Sequence, residues 1–165
     1  MIHVVLFQPE IPPNTGNIIR TCMASNSKLH LIKPLGFEIS DASFKRAGLD
    51  YLRSFKFDVH ENFDDFLNTC KPDDNNTYII TRFGSYIYSE APLNDETKDY
   101  YFIFGSETHG LPDYIHKKYE AHRLRVPMAA DARCLNLSNT VAIIVFEALR
   151  QQNFPALSRE NVLEG

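Results

Sequence analysis

The chain has 165 residues, 44% of them hydrophobic and 23% charged, which is typical of one globular domain with a sizeable core. Its 17 basic and 21 acidic residues give a net charge of −4, which disfavours nonspecific coating of nucleic acid but allows a local basic patch. Three cysteines without metal-ligand spacing and six scattered histidines predict free thiols in a reducing cytoplasm and no metal centre. The sequence shows neither a membrane-length apolar run nor a secretory signal pattern.

The first part of the chain predicts two strands and two helices. Apolar runs at residues 2–7 and 29–32 predict the strands. Between them, a proline-rich loop leads into a helix that Asn14 is expected to cap. On this helix, Arg20 could reach a phosphate or carboxylate held at the N-terminus, or could simply pair with a nearby acid. A second helix is predicted over residues 41–51, with Lys45 and Arg46 exposed.

Four further strands are predicted, at residues 57–59, 78–81, 100–104 and 123–126, with a short helix over residues 62–69. Residues 82–98 have no clear periodicity and are expected to form an irregular loop. The strand ending at residue 104 runs into Gly-Ser-Glu-Thr-His-Gly-Leu-Pro, where glycines would let the backbone approach a ligand. The spacing of these glycines suggests a phosphate loop, but the Lys-Ser/Thr pair that such a loop needs is missing.

The last helix is predicted from Asn136, a suitable cap, to about residue 152. The loop at residues 127–135 would deliver polar groups to the N-terminus of this helix, where free N–H groups favour a polar ligand. The pattern predicts a domain over residues 1–152 and a polar tail over residues 153–165. An ordinary strand-loop-helix connection would give the same local pattern.

Strands and helices alternate about six times, which predicts a single-domain α/β fold with a mostly parallel six-stranded sheet and helices on both faces. In such sheets, ligands bind beyond the carboxyl ends of the strands. The loops after the first, fourth, fifth and sixth predicted strands would therefore form a ligand site, with Arg20, Glu107 and Asn136 as its polar groups.

Five segments resemble the SPOUT superfamily of RNA methyltransferases, and within it the TrmL branch of tRNA (cytidine/uridine-2′-O)-methyltransferases. They lie at residues 9–20 (PEIPPNTGNIIR), 46–51 (RAGLDY), 104–108 (FGSET), 110–112 (GLP) and 136–140 (NLSNT). Each segment is weak alone, but the five occur in order and fit from about residue 2 to residue 152. The resemblance implies a C-terminal trefoil knot, a cytoplasmic homodimer, and S-adenosyl-L-methionine bound by the knot loops.

The resemblance also implies the positions of the site residues. The cofactor pocket would be lined by Ile80, Gly105, Val126, Cys134 and Leu135. The catalytic residues would be Arg20, Asn14, Glu107 and Asn136. Candidates for contact with tRNA phosphates would be Arg20, Lys45, Arg46 and Arg53. Departures from relatives at His109, Cys134 and Phe146 affect efficiency and tRNA preference more than the fold.

The implied reaction is methylation of the ribose 2′-hydroxyl of the wobble cytidine or uridine in leucine tRNA. Arg20 would be the main polar catalyst, either as a base in an unusual environment or, more easily, as a group that holds a phosphate and stabilises the developing alkoxide. Two alternatives stay open: the same chemistry on another RNA, and a knotted RNA-binding protein without catalysis.

Overall fold

A parallel sheet of seven strands forms the centre of the computed structural model, which describes residues 1–39, 42 and 54–160. The strands are β1 (Ile2–Phe7), β2 (Lys28–Ile32), β3 (Asp58–His60), β4 (Thr77–Ile80), β5 (Tyr86–Ile87), β6 (Tyr100–Phe104) and β7 (Arg123–Arg125). Their order is β3-β2-β1-β6-β4-β7-β5, and all neighbouring pairs are parallel.

The predicted count of six strands is wrong, because β5 lies inside the segment expected to be an irregular loop. This strand is two residues long, and Tyr86 and Ile87 pair with Leu124 and Arg125 of β7. Two residues are too few to produce a recognisable alternation of apolar and polar side chains. The predicted helix over residues 41–51 lies, apart from residue 42, outside the described residues, as do Lys45, Arg46 and Arg53.

The helices of the described chain are α1 (Pro12–Ala24), α2 (Phe63–Cys70), α3 (Asp113–Lys118) and α4 (Leu137–Gln151). Asn136 is the N-cap of α4, as predicted. Asn14 is not the cap of α1, because that helix already begins at Pro12, with Ile11 as its N-cap. Proline is favoured in the first helical turn since its fixed φ suits a helix and its missing N–H is not needed there.

The helices pack on both faces of the sheet, as the sequence predicts. On one face, Ile18 and Ile19 of α1 and Val145 of α4 join the core formed by alternate strand residues such as Val4. On the other face, α2 and α3 pack against the remaining strand residues. The apolar members of that second cluster are Val5, Phe7, Ile32, Phe63, Phe66, Ile79, Tyr101, Ile103, Leu111, Ile115 and Tyr119. Continuous apolar strands are therefore buried on both sides.

Three histidines are also buried in the sheet, one on each of three neighbouring strands: His3 on β1, His30 on β2 and His60 on β3. Burial is the main factor that lowers the pKa of His3 to about 4 and the pKa of His30 to about 3. Both rings are therefore neutral at pH 7.

The C-terminal part of the described chain returns to the core beyond α4. Gln152 donates from its side chain to the carbonyl of Leu93 at 2.8 Å, and Phe154 and Leu157 pack, partly buried, against the α1–α4 face. The boundary at residue 152 between a domain and a tail stays a prediction. Among the described residues, no helix has the length and apolar character needed to cross a lipid bilayer.

Candidate functional site

A cleft of about 530 Å³ opens beyond the carboxyl ends of β4, β6 and β7, where the sequence predicted a ligand site. Three loops supply most of its lining, at residues 80–83, 104–111 and 126–137, and Ile11 and Asn14 close it from the side of α1. Its size is within the range usual for small-molecule and cofactor sites, about 300–1,000 Å³.

All five residues assigned to the cofactor lie in the lining of this cleft: Ile80, Gly105, Val126, Cys134 and Leu135. Ile80 ends β4, Gly105 directly follows β6, and Val126 directly follows β7. The fold thus brings together residues that lie up to 55 positions apart along the chain, from Ile80 to Leu135. Cys134 is a free thiol on the exposed side of the cleft. The role of these residues as cofactor ligands stays a prediction.

Glu107 joins the loop after β6 to the N-terminus of α1. Its carboxylate accepts hydrogen bonds from the backbone N–H of Glu10 at 2.8 Å and of Ile11 at 3.1 Å, and from the side-chain amide of Asn14 at 3.2 Å. The N-terminus of a helix favours a negative charge, so Glu107 stabilises α1 from a distant part of the sequence.

Asn14 and Asn136 continue this connection to the N-terminus of α4. The side-chain amide of Asn136 donates to Oδ1 of Asn14 at 2.9 Å. Oδ1 of Asn136 in turn accepts from the backbone N–H of Ser138 at 2.8 Å and from the Ser138 hydroxyl at 2.6 Å. Three of the four residues predicted to be catalytic therefore form one hydrogen-bonded chain, which we call the Glu107–Asn14–Asn136 relay.

Glu10 binds the same β6 loop from the opposite side. Its carboxylate accepts from the Thr108 hydroxyl at 2.5 Å and lies 3.1 Å from Nδ1 of His109. These hydrogen bonds, first that of Thr108 and then that of His109, lower the pKa of Glu10. Each of the two loops therefore supplies a carboxylate that binds the other: Glu107 from the loop after β6, and Glu10 from the loop before α1.

Two glycines allow the tight turn of the β6 loop. Ser106 and Gly110 exchange backbone hydrogen bonds of 3.2 and 3.0 Å, which bring Gly105 against the other side of the turn. A Cβ atom on Gly105 would lie only 2.2 Å from the carbonyl carbon of Gly110. Gly110 has a φ of +68°, a conformation that side chains other than glycine rarely adopt.

Arg20 is not brought into the cleft. It lies on the exposed side of α1 and is not part of the cleft lining. Two arginines that the sequence analysis did not assign do line the cleft: Arg82, whose guanidinium lies 4.7 Å from the centre of the Phe83 ring, and Arg133. Arg82 falls in the segment without clear periodicity, and Arg133 falls in the loop at residues 127–135, where no arginine was assigned a role.

His116, which was not among the predicted site residues, also belongs to the lining, from the side of α3. Its pKa is lowered, mainly by burial and then by the positive charge of Arg123. Arg123 donates two hydrogen bonds to the backbone carbonyl of His116, at 2.9 and 3.2 Å, and so fixes this end of α3. No sequence motif marks His116, because its position depends on how α3 folds back over the sheet.

Comparisons with known proteins concern the family of the chain. The model of the SpoU rRNA Methylase family matches residues 1–146. A relative from Burkholderia cenocepacia (strain HI2424), named tRNA (cytidine(34)-2′-O)-methyltransferase, is 47% identical over 156 residues, which cover 93% of this chain and 97% of the relative.

Two solved structures share the fold over almost the whole chain. One, from Bacillus anthracis and provisionally named an RNA methyltransferase, is 46% identical with a TM-score of 0.89 and covers 97% of this chain and 99% of that chain. The other, which concerns the 2-OH methylation of C/U34 on tRNA, is 37% identical with a TM-score of 0.82 and covers 93% and 97%.

Proposed function

This chain belongs to the SpoU rRNA methylase family, and on that basis we propose that it transfers a methyl group from S-adenosyl-L-methionine to the ribose 2′-hydroxyl of cytidine or uridine 34 in tRNA. The observation that carries the proposal is that all five expected cofactor residues lie in the lining of one cleft. The name of the Burkholderia cenocepacia relative and the subject of the second solved structure support the choice of nucleotide.

The residues of the cleft fit the cofactor. Ile80, Val126 and Leu135 would offer apolar side chains to the adenosine, and the missing Cβ of Gly105 lets the two sides of the β6 loop approach each other beside the cleft. S-adenosyl-L-methionine, when bound, supplies an electrophilic methyl group, so the protein is left with the tasks of orientation and proton removal. Cys134 is an exposed thiol in the lining, and a contact to its backbone would not depend on the side chain.

The contacts of the Glu107–Asn14–Asn136 relay support a positioning role for its members. Both carboxylate oxygens of Glu107 already accept hydrogen bonds, and the amide of Asn14 bonds on both sides. Groups engaged in this way hold the three loops at fixed distances from one another, which is what in-line methyl transfer requires of its surroundings.

For Arg20 we propose a role at the RNA, where its guanidinium holds the phosphate next to the reacting ribose and stabilises the developing alkoxide. Its exposed position on α1 is suited to a macromolecular substrate. Arg82 and Arg133 at the cleft add positive charge on the path of the tRNA backbone. Lys45, Arg46 and Arg53, the other predicted contacts to tRNA phosphates, lie outside the described residues. The leucine isoacceptors that the resemblance implies are the first substrates to test.

We also propose that the protein is a homodimer that forms through the α1–α4 face. Three large apolar side chains on or beside these helices are exposed: Ile11 by 44%, Leu135 by 40% and Phe146 by 42%. Exposed large apolar side chains are typical of an interface between subunits. Ile11 and Leu135 also line the cleft, so the proposed interface would lie next to it. Phe146→Glu should yield a monomer in sedimentation, whereas Tyr114→Glu, a matched change at a 53% exposed side chain of α3, should leave the dimer intact.

A trefoil knot through the C-terminal segment is the further structural proposal. It is supported by the hydrogen bonds that tie Gln151 and Gln152, at the end of α4, to the backbone of Leu93. A crystal structure that traces the chain continuously from β4 to α4 would test it. Since tRNA is the proposed substrate, we place the activity in the cytoplasm.

The experiment that tests the function uses labelled S-adenosyl-L-methionine, the purified protein and tRNA from cells that lack the activity. Digestion of the tRNA should give label in 2′-O-methylated cytidine or uridine 34. Label at another position or in another RNA would support the alternative substrate. Binding of RNA without any transfer of label would favour a non-catalytic RNA-binding protein.

A variant then tests the assignment of Arg20. Arg20→Ala should abolish transfer while cofactor binding is retained, because the guanidinium is proposed to act on the RNA. The matched control is Arg159→Ala, which removes an arginine in the segment after α4 that contacts Asn153 and the Phe154 ring. If Arg20→Ala transferred methyl groups as fast as Arg159→Ala, the proposed role of Arg20 would be wrong.

A further inference from the structure

The three buried histidines of the sheet form a continuous row away from the cleft. Nδ1 of His3 lies 3.0 Å from Nε2 of His30, and Nδ1 of His30 lies 3.2 Å from Nε2 of His60. The row follows β1, β2 and β3, and β3 is the end strand of the sheet. The cleft lies instead beyond β4, β6 and β7, so the row belongs to a different part of the molecule.

Several groups converge on the junction between His30 and His60. The Cys70 thiol lies 3.8 Å from Nδ1 of His30 and 3.9 Å from Nε2 of His60. An Asp58 carboxylate oxygen lies 3.6 Å from the same nitrogen of His30. One imidazole nitrogen forms one ordinary hydrogen bond, yet Nδ1 of His30 faces a nitrogen, a sulfur and an oxygen. A cation between the two nitrogens and the sulfur satisfies these three ligand atoms together, with the carboxylate beside them.

The distances suit tetrahedral coordination. Zinc bonds of about 2.0–2.1 Å to nitrogen and about 2.3 Å to sulfur place two nitrogens about 3.3 Å apart, and a nitrogen and a sulfur about 3.6 Å apart. The separations here are 3.2 Å between the nitrogens and 3.8 and 3.9 Å from them to the sulfur. The ligand atoms of His30, His60 and Cys70 all lie within 4.8 Å of one another.

We propose that His30, His60 and Cys70 bind a divalent transition-metal ion of the zinc type through three protein ligands, with the Asp58 carboxylate as a nearby negative charge. Nδ1 of His30, Nε2 of His60 and the Cys70 sulfur are the donor atoms. On binding, the thiol releases its proton to solvent and coordinates as the thiolate. The proposal revises the expectation from the sequence that no metal centre is present, which was based on the scattering of the histidines along the chain.

The surroundings of the histidines support this assignment. Metal-bound histidines usually direct their second nitrogen to a hydrogen-bond acceptor, often as part of a chain ending in a carboxylate. Nε2 of His30 meets Nδ1 of His3, whose other nitrogen lies 3.6 Å from an Asp99 carboxylate oxygen. Nδ1 of His60 lies 4.0 Å from an Asp65 carboxylate oxygen. The second nitrogen of His30 thus forms a hydrogen bond with His3, and the second nitrogen of His60 faces a carboxylate without bonding to it.

The fold also provides access and a role for the ion. Asp58 is 68% exposed, and Cys70 is partly exposed at the C-terminal end of α2, where the helix dipole favours a cation. His30 belongs to β2, His60 to β3 and Cys70 to α2. The ion would therefore fasten the short end strand and its covering helix to the rest of the sheet. The proposal is independent of the proposed methyl transfer.

The first test titrates the full-length, chelator-treated protein with Zn²⁺ alone by calorimetry and with Co²⁺ by absorption spectroscopy. We expect one equivalent to bind and a thiolate-to-cobalt charge-transfer band to appear. Cys70→Ser should lose that band, whereas the matched variant Cys134→Ser, which removes the exposed thiol of the cleft, should keep it. No binding by the wild-type protein, or a band that persists in Cys70→Ser, would overturn the proposal.

A second measurement needs no variant and is therefore independent of whether Cys70→Ser folds. Alkylation of each thiol in the wild-type protein is followed by mass spectrometry with and without Zn²⁺. At a Zn²⁺ concentration 100 times the dissociation constant, alkylation of Cys70 should slow by about a hundred-fold, while exposed Cys134 should react at an unchanged rate. An equal rate at Cys70 in the presence and absence of Zn²⁺ would contradict the site.

Discussion

The substitution Glu107→Gln tests how much the hydrogen bonds of Glu107 to the N-terminus of α1 contribute to the stability of the protein. The variant keeps the shape of the side chain but removes its charge and replaces one accepting oxygen with an NH₂ group. Three donors, the N–H groups of Glu10 and Ile11 and the amide of Asn14, now bond to the carboxylate. In the variant, at least one of them faces another donor and loses its hydrogen bond.

The magnitude follows from these contacts. A hydrogen bond to a charged group contributes about 1.5–3 kcal/mol, and a charge at a helix N-terminus about 0.3–1 kcal/mol. Because Glu107 is only partly buried, we take the lower part of this combined range, about 2 kcal/mol. For a chain of this length, that corresponds to a decrease in Tm of about 4–8 °C.

Thermal unfolding followed by circular dichroism provides the assay, and Glu120→Gln provides the matched control. Glu120 is 77% exposed and lies 3.7 Å from Arg123, so the loss of this surface pair should cost less than about 1 kcal/mol. Hydrogen exchange should show faster exchange at the amides of Glu10 and Ile11 in Glu107→Gln alone. Equal Tm values for the two variants would refute the capping role of Glu107.

Three further predictions concern the cleft and the core. Gly105→Ala places a Cβ atom 2.2 Å from the backbone of Gly110, which would distort the β6 loop. Calorimetry should therefore show at least about a ten-fold loss of cofactor affinity, which corresponds to about 1.4 kcal/mol. Gly110→Ala has open space around the new Cβ atom and should instead lower the free energy of unfolding by about 1 kcal/mol, because its φ is positive. Asn136→Ala removes the cap of α4 and should lower the free energy of unfolding in urea by about 1 kcal/mol; an unchanged value would show that the cap contributes nothing. Ile144 is 1% exposed, so Ile144→Ala should lower the free energy of unfolding in the same urea assay by about 2–5 kcal/mol. The control Ile144→Val should lower it by only about 0.5–1.5 kcal/mol. Equal decreases for the two variants would contradict close packing at this position.

The sequence predicts the central strands most accurately. The bounds of β1 and β6 agree with the structure at both ends. These strands lie in the middle of the sheet with helices on both faces, so their sequences are continuous apolar runs that stop where burial stops. The end strand β5 has only two residues and one partner, and its residues Tyr86 and Ile87 carry no comparable signal.

The cleft could be predicted in its location but not in its contacts. Parallel strands end on the same side, so the loops that follow β4, β6 and β7 had to meet, and they bring Ile80, Gly105 and Val126 together. The partners of Glu107 lie 93 to 97 positions away along the chain, and no local pattern specifies them. For the same reason His116 escaped detection, and the exposed position of Arg20 depends on how α1 is rotated about its axis.

The different outcomes at the two asparagines show how prolines change helix capping. Both Asn14 and Asn136 precede an apolar helical pattern, yet only Asn136 is a cap. In α1 the first two helical positions are Pro12 and Pro13, which have no N–H groups, so an asparagine cap would find few donors to bond.

The donors that remain at this end of α1 are the backbone N–H groups of Glu10 and Ile11, which precede the helix. Glu107 accepts from both of them, and so performs from the β6 loop the function that a local cap performs elsewhere. Because Asn14 is not used as a cap, its Oδ1 can accept a hydrogen bond from the side-chain amide of Asn136. The prolines therefore convert a local cap into a contact between loops, and the geometry of the proposed methyl-transfer site comes to depend on the stability of that contact.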